Sequence, residues 1–167
     1  MLPSGSEVID VGCGGGAFAR ELAQRHRVTG VDLSAAQIEL ARGNVPKGTF
    51  VCADVLDVDL PPASFDAAVA LYVFCHVPRA EHPTLLGKIA RWLRPGALLL
   101  ATMSAGEGGE VVEDWLGVPM FFSSWDVETN RRLVREAGFE LLRDEVLAQS
   151  EPGHGDVPFL WLVARRL

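Results

Sequence analysis

The sequence predicts a doubly wound α/β fold, with a mostly parallel seven-stranded sheet and an antiparallel C-terminal strand. Short apolar runs rich in β-branched residues alternate with segments of helical spacing along most of the 167 residues. The runs are apolar nearly throughout, which is typical of strands whose sheet is covered by helices on both faces. The connector between the last two runs has about ten residues, too few for a crossover helix, so these strands should pair antiparallel. We therefore expect an antiparallel edge on an otherwise parallel sheet.

Each element follows from a local pattern. EVIDV runs into a glycine-rich turn, Ser34 and Gln37 match a capping box that begins the second helix, and Pro95-Gly96 ends the third. The predicted strands are Glu7–Val11, Arg27–Val31, Thr49–Ala53, Phe65–Tyr72, Ala97–Thr102, Phe139–Leu147 and Phe159–Ala164. The predicted helices cover Ala17–Gln24, Ser34 to Arg42, a segment that includes Leu86 and Leu93, and Asp126–Ala137. This alternation of strands and helices is typical of a doubly wound sheet.

Composition limits the classes of protein to which the chain can belong. Its length suits one domain over residues 1–167, and 49% hydrophobic residues exclude a disordered chain. The net charge of −7 argues against a nucleic-acid partner, and no apolar run reaches the roughly 18 residues of a membrane-spanning helix. The start of the sequence lacks the pattern of a signal peptide. Cys13, Cys52 and Cys75 have no CxxC spacing, so we expect reduced thiols, no metal site and a cytoplasmic location.

The strongest functional pattern is the turn between the first strand and the first helix, which reads DVGCGGGA from Asp10 to Ala17. Glycine permits positive φ and removes the Cβ atoms that would hold a ligand away from the backbone. Two interpretations compete, the GxGxxA pattern of dinucleotide binding and the pattern DxGxGxG. Asp10 favours the second, because a carboxylate there would repel a pyrophosphate but suit an ammonium or sulfonium ligand. Asp32, twenty residues after Gly12, suits a ribose diol under either interpretation.

Five segments stand in a recognisable order along the chain. They are VIDVGCGGGAFAREL, TGVDLS, CADVLDVDLP, FDAAVALYVFCHV and WLRPGALLLAT. Together they resemble the successive motifs of the class I S-adenosylmethionine-dependent methyltransferases, most closely the small-molecule, type 11-like branch. The resemblance covers Glu7–Thr102, and the later segments FSSWD and EAGFELL are similar to the same branch. It implies a Rossmann-like fold, S-adenosylmethionine as the cofactor and methyl transfer to a small-molecule acceptor.

The resemblance also implies roles for single residues. Asp10 would interact with the methionine part of the cofactor, and Asp32 would hold the ribose hydroxyls. Asp54 would accept a hydrogen bond from the adenine amino group, with Leu33 and Val55 packed against the ring. The other residues of the implied cofactor site are Gly12, Cys13, Gly14, Gly16 and Leu71.

Methyl transfer from a sulfonium is an in-line displacement, so the protein mainly has to align the acceptor, the methyl group and the sulfur. A base is needed only where the acceptor arrives protonated. His76 and Tyr72 follow the fourth strand and are the candidate catalytic residues, although His76 also fits a capping or packing role. Cys75 fits buried packing better than nucleophilic chemistry. The other histidines, which we expect at the surface or as helix caps, are His26, His82 and His154.

The segment Met103–Ser124 interrupts the alternation and forms an insert at the carboxyl ends of the strands, where ligands bind in such sheets. Two interpretations are open. The insert is either a lid whose aromatic residues shape an acceptor pocket, or a peripheral helix and strand whose aromatic residues pack on the body. Acids that face a pocket would suit a cationic or amine acceptor. The residues concerned are Glu107, Glu110, Glu113, Asp114, Trp115, Met120, Phe121 and Phe122.

Related enzymes usually carry helices before the first strand, which here begins at about residue 7. We expect that the insert or the second protomer of a homodimer covers the site in their place, or that the chain is a truncated or inactive descendant. Two alternative functions stay open. One is a non-catalytic S-adenosylmethionine-binding protein of the same fold. The other is an NAD-dependent oxidoreductase that uses the Gly12-x-Gly14-x-x-Ala17 pattern, although the sequence has no evident hydride-transfer constellation.

Overall fold

The structure, a computed structural model, describes residues 2–106, 108–151 and 155–167. The strands are β1 (Glu7–Val11), β2 (Arg27–Asp32), β3 (Thr49–Cys52), β4 (Phe65–Ala70), β5 (Leu93–Ser104), β6 (Gly109–Trp115), β7 (Val118–Ser124), β8 (Phe139–Glu151) and β9 (Gly155–Arg166). The helices are α1 (Ala17–Leu22), α2 (Ala35–Asn44), α3 (His82–Trp92) and α4 (Val127–Glu136). Two short 3-10 helices cover Phe74–His76 and Arg79–Glu81.

Seven strands form one sheet in the order β3-β2-β1-β4-β5-β9-β8. The pairs from β3 to β5 are parallel, and β9 is antiparallel to both of its neighbours. The predicted doubly wound, mostly parallel sheet is therefore confirmed. The strand order reverses between β1 and β4, and this switch point is where open α/β sheets bind their ligands.

The predicted antiparallel C-terminal strand is confirmed as β9, but this strand lies inside the sheet and β8 forms the edge. The composition of the two strands explains this order. The central part of β9, Phe159–Ala164, is almost entirely apolar and packs between β5 and β8. In contrast, β8 carries alternating charges, such as Arg143 and Glu145, that an exposed edge tolerates.

Predicted boundaries also differ from the structure, at the end of α3 and between the last two strands. Helix α3 ends at Trp92 rather than near Pro95, because Leu93 already pairs with Phe65 and is buried. The polar connector after Leu147 continues the pairing of β8 and β9, from Ala148 opposite Pro158 to Glu151 opposite Gly155. Backbone pairing does not need apolar side chains, so sequence periodicity underestimates the length of both strands.

The insert is a β-hairpin, with β6 and β7 paired antiparallel as a separate two-stranded sheet. Its two-residue turn is Leu116-Gly117, with φ of +54° and +88°, and two positive φ values are typical of tight hairpin turns. The Asp114 side chain accepts a hydrogen bond from the Gly117 amide at 3.0 Å and so supports the turn. The peripheral helix of the second interpretation is absent from the described part of this segment, and Glu107 lies outside the described residues.

Helices cover both faces of the sheet, and the strand period decides which side chains meet them. Ile9 and Val11 of β1 belong to the core cluster that includes residues of α3 and α4. Val8 packs with β4 residues and Leu22 of α1 on the opposite face. Asp10 shares the side of Val8, so its carboxylate points towards α1 beneath the glycine-rich turn. The turn and its acid are thus fixed by a buried strand.

Candidate functional site

A hollow of about 500 Å³ opens at the carboxyl ends of the parallel strands, beside the switch point of the sheet. Its volume lies in the range that drug-sized ligands occupy. Seven of the ten residues implied for the cofactor site line this first hollow. They are Gly12, Gly14, Asp32, Leu33, Asp54, Val55 and Leu71.

The glycine-rich turn forms one wall of the first hollow and depends on its missing side chains. Gly12 has φ of +71°, and a Cβ atom there would come within 2.7 Å of the Val73 side chain. The Gly12 amide donates to the Val31 carbonyl at 2.8 Å, which ties the turn to β2. The backbone at Gly12 is therefore free of the bulk that would hold a ligand away.

Asp32 connects this turn to the start of α2. Its Oδ2 accepts a hydrogen bond from the Gly14 amide at 2.8 Å, and its Oδ1 accepts one from the Ser34 amide at 2.9 Å. A carboxylate offers about four acceptor positions, so each oxygen can still accept one hydroxyl proton. Asp32 can thus hold the turn and a diol at the same time.

Gln37 is a lining residue that the sequence analysis placed only in a capping box. The Ser34 hydroxyl does accept a bond from the Gln37 amide, at 3.4 Å, as predicted. A capping box also has a second bond, from the Ser34 amide to the Gln37 side chain. This part of the prediction is wrong, because the Ser34 amide donates to Asp32 instead. The Gln37 side chain lines the first hollow, with Oε1 3.1 Å from the Cβ position of Gly15. A polar residue in the first turn of α2, close to the glycine-rich turn, was the available signal for this role.

Asp54, Leu33 and Val55 form the opposite part of the lining. The Asp54 Oδ1 accepts a hydrogen bond from the Leu56 amide at 2.8 Å, which fixes the turn after β3. Val55 is buried, whereas Leu33 is 71% exposed. An isolated exposed leucine at the mouth of a hollow offers apolar surface to a flat ligand.

Three of the ten implied residues lie behind the wall of the first hollow. The Cys13 side chain packs with Val28 and Phe50, and burial together with nearby acids raises the pKa of its thiol to about 12. A Cβ on Gly16 would contact Ala41, so this glycine serves the close packing of α1 on α2. Neither residue lines the first hollow, and their implied place in the cofactor site stays a prediction.

Asp10 is the third residue behind the wall, and it is only 2% exposed. Burial, and secondarily the charge of Asp32, raises the pKa of Asp10 from 3.8 to about 7. Its Oδ2 atom has no hydrogen-bond partner among the described residues. Unpaired buried carboxylate oxygens are costly, so this atom marks a site that a cation or a bridging water would stabilise.

A second hollow of about 420 Å³ lies under the hairpin. The hairpin contributes charged, apolar and aromatic side chains to it, and β9 closes the other side with Phe159. The hairpin residues of this lining are Gly109, Glu110, Val111, Glu113, Trp115, Met120, Phe122, Ser123 and Ser124. The interpretation of the insert as a lid with a pocket therefore agrees with its position. Tyr72, His76 and Met120 line both hollows, so the two sites adjoin there.

Tyr72 stands at this junction with an unusual backbone. Its φ is +57°, a left-handed conformation that non-glycine residues rarely adopt. The Tyr72 amide donates to the Thr102 hydroxyl at 2.7 Å. Its ring packs edge-on against Phe159 and Trp161, at centroid distances of 5.1 and 5.9 Å. These contacts hold the Tyr72 ring between the hollows.

His76 is oriented by the hairpin. Its Nδ1 lies 3.0 Å from the Phe121 carbonyl oxygen, which can only accept, so Nδ1 carries the hydrogen. Nε2 is then the nitrogen with a free lone pair, and a neutral imidazole of this tautomer can accept a proton there. The ring also packs against Phe122 at 5.2 Å.

His82 and Ser123 join the hairpin to the segment that carries His76, and we name this pair the hairpin clasp. His82 Nε2 lies 3.0 Å from the Phe74 carbonyl, 3.1 Å from the Val77 carbonyl and 3.2 Å from the Ser123 hydroxyl. The Ser123 hydroxyl donates to the Val77 carbonyl at 2.6 Å. His82 is only 2% exposed, and burial lowers its pKa, so the expectation of a surface or capping residue is wrong.

The remaining candidates have simpler positions. Cys75 is buried and its thiol donates to the Tyr72 carbonyl at 3.2 Å, in agreement with a packing role. His26 is half-buried after α1, and His154 lies outside the described residues. Across residues 2–106, 108–151 and 155–167, no group of three or more His, Cys, Asp or Glu side chains could hold a metal ion. Within the same ranges, no helix is long and apolar enough to cross a membrane.

The fold and the site define a class of protein. A glycine-rich turn, an acid that ends β2 and a hollow at the switch point are typical of α/β proteins that bind a nucleoside-containing ligand. A family model described as "Methyltransferase domain" matches residues 8–96, more than half of the chain. The chain therefore belongs to this methyltransferase-domain family.

Individual relatives agree with this membership. An O-methyltransferase of Pyrenophora dematioidea is 34% identical over 158 residues, which cover 85% of this chain and 57% of the relative. The chain spans about half the length of the curated relatives it matches. Among solved structures, a SAM-dependent methyltransferase of Methanosarcina mazei superimposes with a TM-score of 0.89 at 21% identity, covering 99% of this chain and 94% of the other.

A second solved structure is a 1,6-didemethyltoxoflavin-N1-methyltransferase of Burkholderia thailandensis, with bound 1,6-didemethyltoxoflavin and S-adenosylhomocysteine. It has a TM-score of 0.78 and 21% identity, and the match covers 98% of this chain and 72% of that chain. At this identity, the likeness of both structures is evidence for the fold.

Proposed function

We propose that the chain is an S-adenosylmethionine-dependent methyltransferase that transfers a methyl group to a small-molecule acceptor. Family membership supports the activity, and the relatives named as O-methyltransferases favour transfer to oxygen. The cofactor is S-adenosylmethionine, the precursor of the S-adenosylhomocysteine bound in the Burkholderia thailandensis structure. Because the chain spans about half the length of its curated relatives, the activity is proposed for the part of the protein that this chain represents.

One observation carries the proposal. The first hollow and the second hollow share Tyr72, His76 and Met120 as common lining. An in-line displacement needs two adjacent sites, one for the donor and one for the acceptor, with the reacting atoms at their junction. Two hollows of suitable volume with a shared wall meet this requirement.

The residues of the first hollow fit the cofactor. A Cβ at Gly12 would collide with Val73 in the wall of the hollow, so only glycine leaves the backbone there open to a ligand. Asp10 has a buried oxygen without a partner near the positive start of α1, which suits a ligand with a positive charge. In our proposal Asp32 holds the ribose hydroxyls, and Asp54 accepts a hydrogen bond from the adenine amino group. Leu33 and Val55 enclose the adenine ring. The remaining implied residues contribute backbone or packing, namely Gly12, Cys13, Gly14, Gly16 and Leu71.

The proposed mechanism assigns alignment and proton removal to this chain's own residues. Bound S-adenosylmethionine supplies a methyl group that its sulfonium already activates. Tyr72 and Met120 form the wall where the acceptor approaches, and the rigid packing of the Tyr72 ring restricts that approach. His76 accepts the proton of an acceptor hydroxyl at Nε2, and the Phe121 carbonyl keeps His76 in the required tautomer.

Calorimetry and transfer of a labelled methyl group test the proposal together. We expect binding of S-adenosylmethionine and S-adenosylhomocysteine, and at most weak binding of NAD. Asp32→Ala should reduce affinity for both, since the variant loses the diol acceptor and two bonds that order the turn. Asp57→Ala is the matched control, an exposed acid outside the lining of either hollow.

The outcomes separate the alternative functions. Cofactor binding without transfer to any acceptor would support the non-catalytic alternative. Tighter binding of NAD than of S-adenosylhomocysteine would support an oxidoreductase and contradict our proposal.

We further propose one domain over residues 1–167 with its insert at 103–124, a possible homodimer and a cytoplasmic location. The three free cysteines support that location, and size-exclusion chromatography tests the homodimer.

A further inference from the structure

Tyr72 has a backbone conformation that its own residue type does not favour. Its φ of +57° lies in the left-handed region, which non-glycine residues keep only where the surrounding structure imposes it. Tyr72 also follows the end of the parallel pairing between β4 and β5, whose last pair is Ala70 with Ala101. The chain then leaves the sheet through the 3-10 helix Phe74–His76. The conformation of Tyr72 therefore sets the direction of the segment that carries His76.

Two buried side chains hold the Tyr72 backbone from both sides. The Thr102 hydroxyl accepts a hydrogen bond from the Tyr72 amide at 2.7 Å, and the Cys75 thiol donates to the Tyr72 carbonyl at 3.2 Å. Thr102 is 1% exposed and lies between the apolar residues Ala101 and Met103. A buried hydroxyl needs a hydrogen-bond partner, and Thr102 has one in a residue that lines both hollows.

Thr102 also fixes the support of the Tyr72 ring. In the antiparallel pairing of β5 with β9, Thr102 lies opposite Trp161. The Tyr72 ring packs edge-on against Trp161 and against Phe159 of the same strand. One position of β5 thus holds the backbone of Tyr72 through its side chain and the neighbour of the Tyr72 ring through its main chain. A shift of Tyr72 away from Thr102 would turn the ring out of the junction between the hollows.

We infer that Thr102 is a positioning residue, whose hydroxyl holds Tyr72 in the left-handed conformation that places its ring between the cofactor and the acceptor. The inference rests on the proposed function, which assigns these two ligands to the two hollows. Thr102 itself lines neither hollow, so it acts on the ligands through Tyr72. Valine has the same branched shape without the hydroxyl, and Thr102→Val therefore separates the hydrogen bond from the packing.

Tyr72 is the single tyrosine of the chain, which gives the inference a direct spectroscopic test. Nuclear magnetic resonance of protein labelled with ¹³C and ¹⁵N in tyrosine reports on this residue alone. The exchange rate of its amide measures the bond to Thr102, and its backbone carbon shifts measure its φ and ψ. We expect slow exchange, left-handed carbon shifts, and ring signals that shift when S-adenosylhomocysteine enters the first hollow.

Thr102→Val should change all three signals. The Tyr72 amide should exchange at least about tenfold faster because it loses its acceptor, the carbon shifts should leave the left-handed range, and the ring should respond less to S-adenosylhomocysteine. The affinity for S-adenosylhomocysteine, measured by calorimetry, should change by less than about threefold, since Thr102 lies outside the lining.

Two further variants separate positioning from a general loss of stability. Thr102→Ser keeps a hydroxyl and should restore the wild-type exchange rate, carbon shifts and ring response. Thr29→Val makes the same change at a half-buried threonine of β2, outside the lining of both hollows, and should leave the signals of Tyr72 unchanged.

The outcomes for this inference differ from those for the proposed function. Tyr72 signals that coincide in Thr102→Val and the wild type would overturn the inference, and so would signals that Thr102→Ser fails to restore. Wild-type carbon shifts outside the left-handed range would overturn it even if Thr102→Val does not fold. If S-adenosylhomocysteine binds without shifting the ring signals of wild-type Tyr72, the inference fails and the cofactor site stands. Absence of S-adenosylhomocysteine binding contradicts the proposed function itself.

Discussion

Asp10 illustrates how a single residue can cost stability and serve a site. It is a carboxylate in the middle of the sheet, with an unpaired Oδ2 and a pKa raised to about 7. Burial is the main cause, and the neighbouring charge of Asp32 adds to it. Cys13, another titratable group near Asp10, keeps its proton at neutral pH because its own pKa is raised to about 12.

Asp10→Asn should stabilise the folded protein in a way that depends on pH. In the unfolded chain Asp10 has a pKa near 3.8, so between about pH 4 and pH 7 only the folded state keeps the proton. The contribution of Asp10 to stability therefore falls as pH rises through this window, and the penalty is complete above pH 7. We expect the variant to gain roughly 2–4 kcal/mol more at pH 8 than at pH 4, from about 1.4 kcal/mol per pKa unit.

Urea unfolding of both proteins at the two pH values measures this difference. Asp57→Asn, a change at an exposed acid, is the control and should show no such dependence. If wild-type protein and Asp10→Asn lose stability in parallel as pH rises, the buried charge is not the cause.

Asp10→Asn should also bind S-adenosylhomocysteine more weakly, because the variant lacks the negative charge near the bound ligand.

His76 should affect catalysis much more than cofactor binding. For a hydroxyl acceptor, His76→Ala removes the proposed base, and we expect kcat to fall by about 10²–10⁴. The affinity for S-adenosylhomocysteine should change by less than about tenfold, since His76 is one of several lining residues. His26→Ala, a change at the half-buried histidine after α1, is the control. An unchanged kcat in His76→Ala would show that the acceptor needs no base from this residue.

At the scale of elements, the hairpin matters because it completes the second hollow and orients His76. Polar contacts of described residues hold its strand β7 to the body of the protein. The hairpin clasp joins Ser123 of β7 to the carbonyls of Phe74 and Val77, and His82 binds all three groups. Phe121, also in β7, binds His76. The clasp therefore fixes the strand that sets the tautomer of the proposed base.

Ser123→Ala should loosen the hairpin without unfolding the sheet. The variant removes the Ser123 hydroxyl bond to the Val77 carbonyl, which keeps His82 as a donor, and a lost hydrogen bond of this kind costs about 0.5–1.5 kcal/mol. We expect faster hydrogen exchange in β7 and a higher KM for the acceptor, with unchanged exchange in β1. Ser64→Ala is the matched control, because it also removes a hydroxyl bond to a carbonyl, at 2.8 Å to Pro61, but lies far along the chain from the hairpin. Equal exchange in β7 of both variants would contradict a role for the clasp.

For the whole molecule, sequence predicts best what depends on neighbours along the chain. The parallel strands and the glycine-rich turn are local patterns, and the positions of Gly12, Asp32 and Asp54 follow from them. The position of β9 inside the sheet depends on partners far along the chain, as does the burial of His82. Neither follows from periodicity.

The second hollow is a further feature that local patterns do not predict. Its lining joins the hairpin to Gln149 and Phe159, which come from strands at the other end of the sequence. The hairpin turn Leu116-Gly117 carries only one glycine as a local signal. The aromatic composition of the hairpin segment is compatible with a pocket or with a packed surface. Only the folded structure shows that these side chains line a hollow.

The state of Asp10 should make ligand stabilisation of the whole protein depend on pH. At one fixed concentration, 100 times the Kd at pH 6, S-adenosylhomocysteine should add about 2.7 kcal/mol at pH 6, a rise of roughly 5–10 °C in Tm for a domain of this size. The rise should be larger at pH 8 than at pH 6, because Asp10 is ionised above its pKa of about 7 and attracts the ligand's ammonium group. Methylthioadenosine lacks the amino-acid part, so its effect on Tm should be the same at both pH values. Equal pH dependence for the two ligands, or its persistence in Asp10→Asn, would show that another group senses the cofactor's charge.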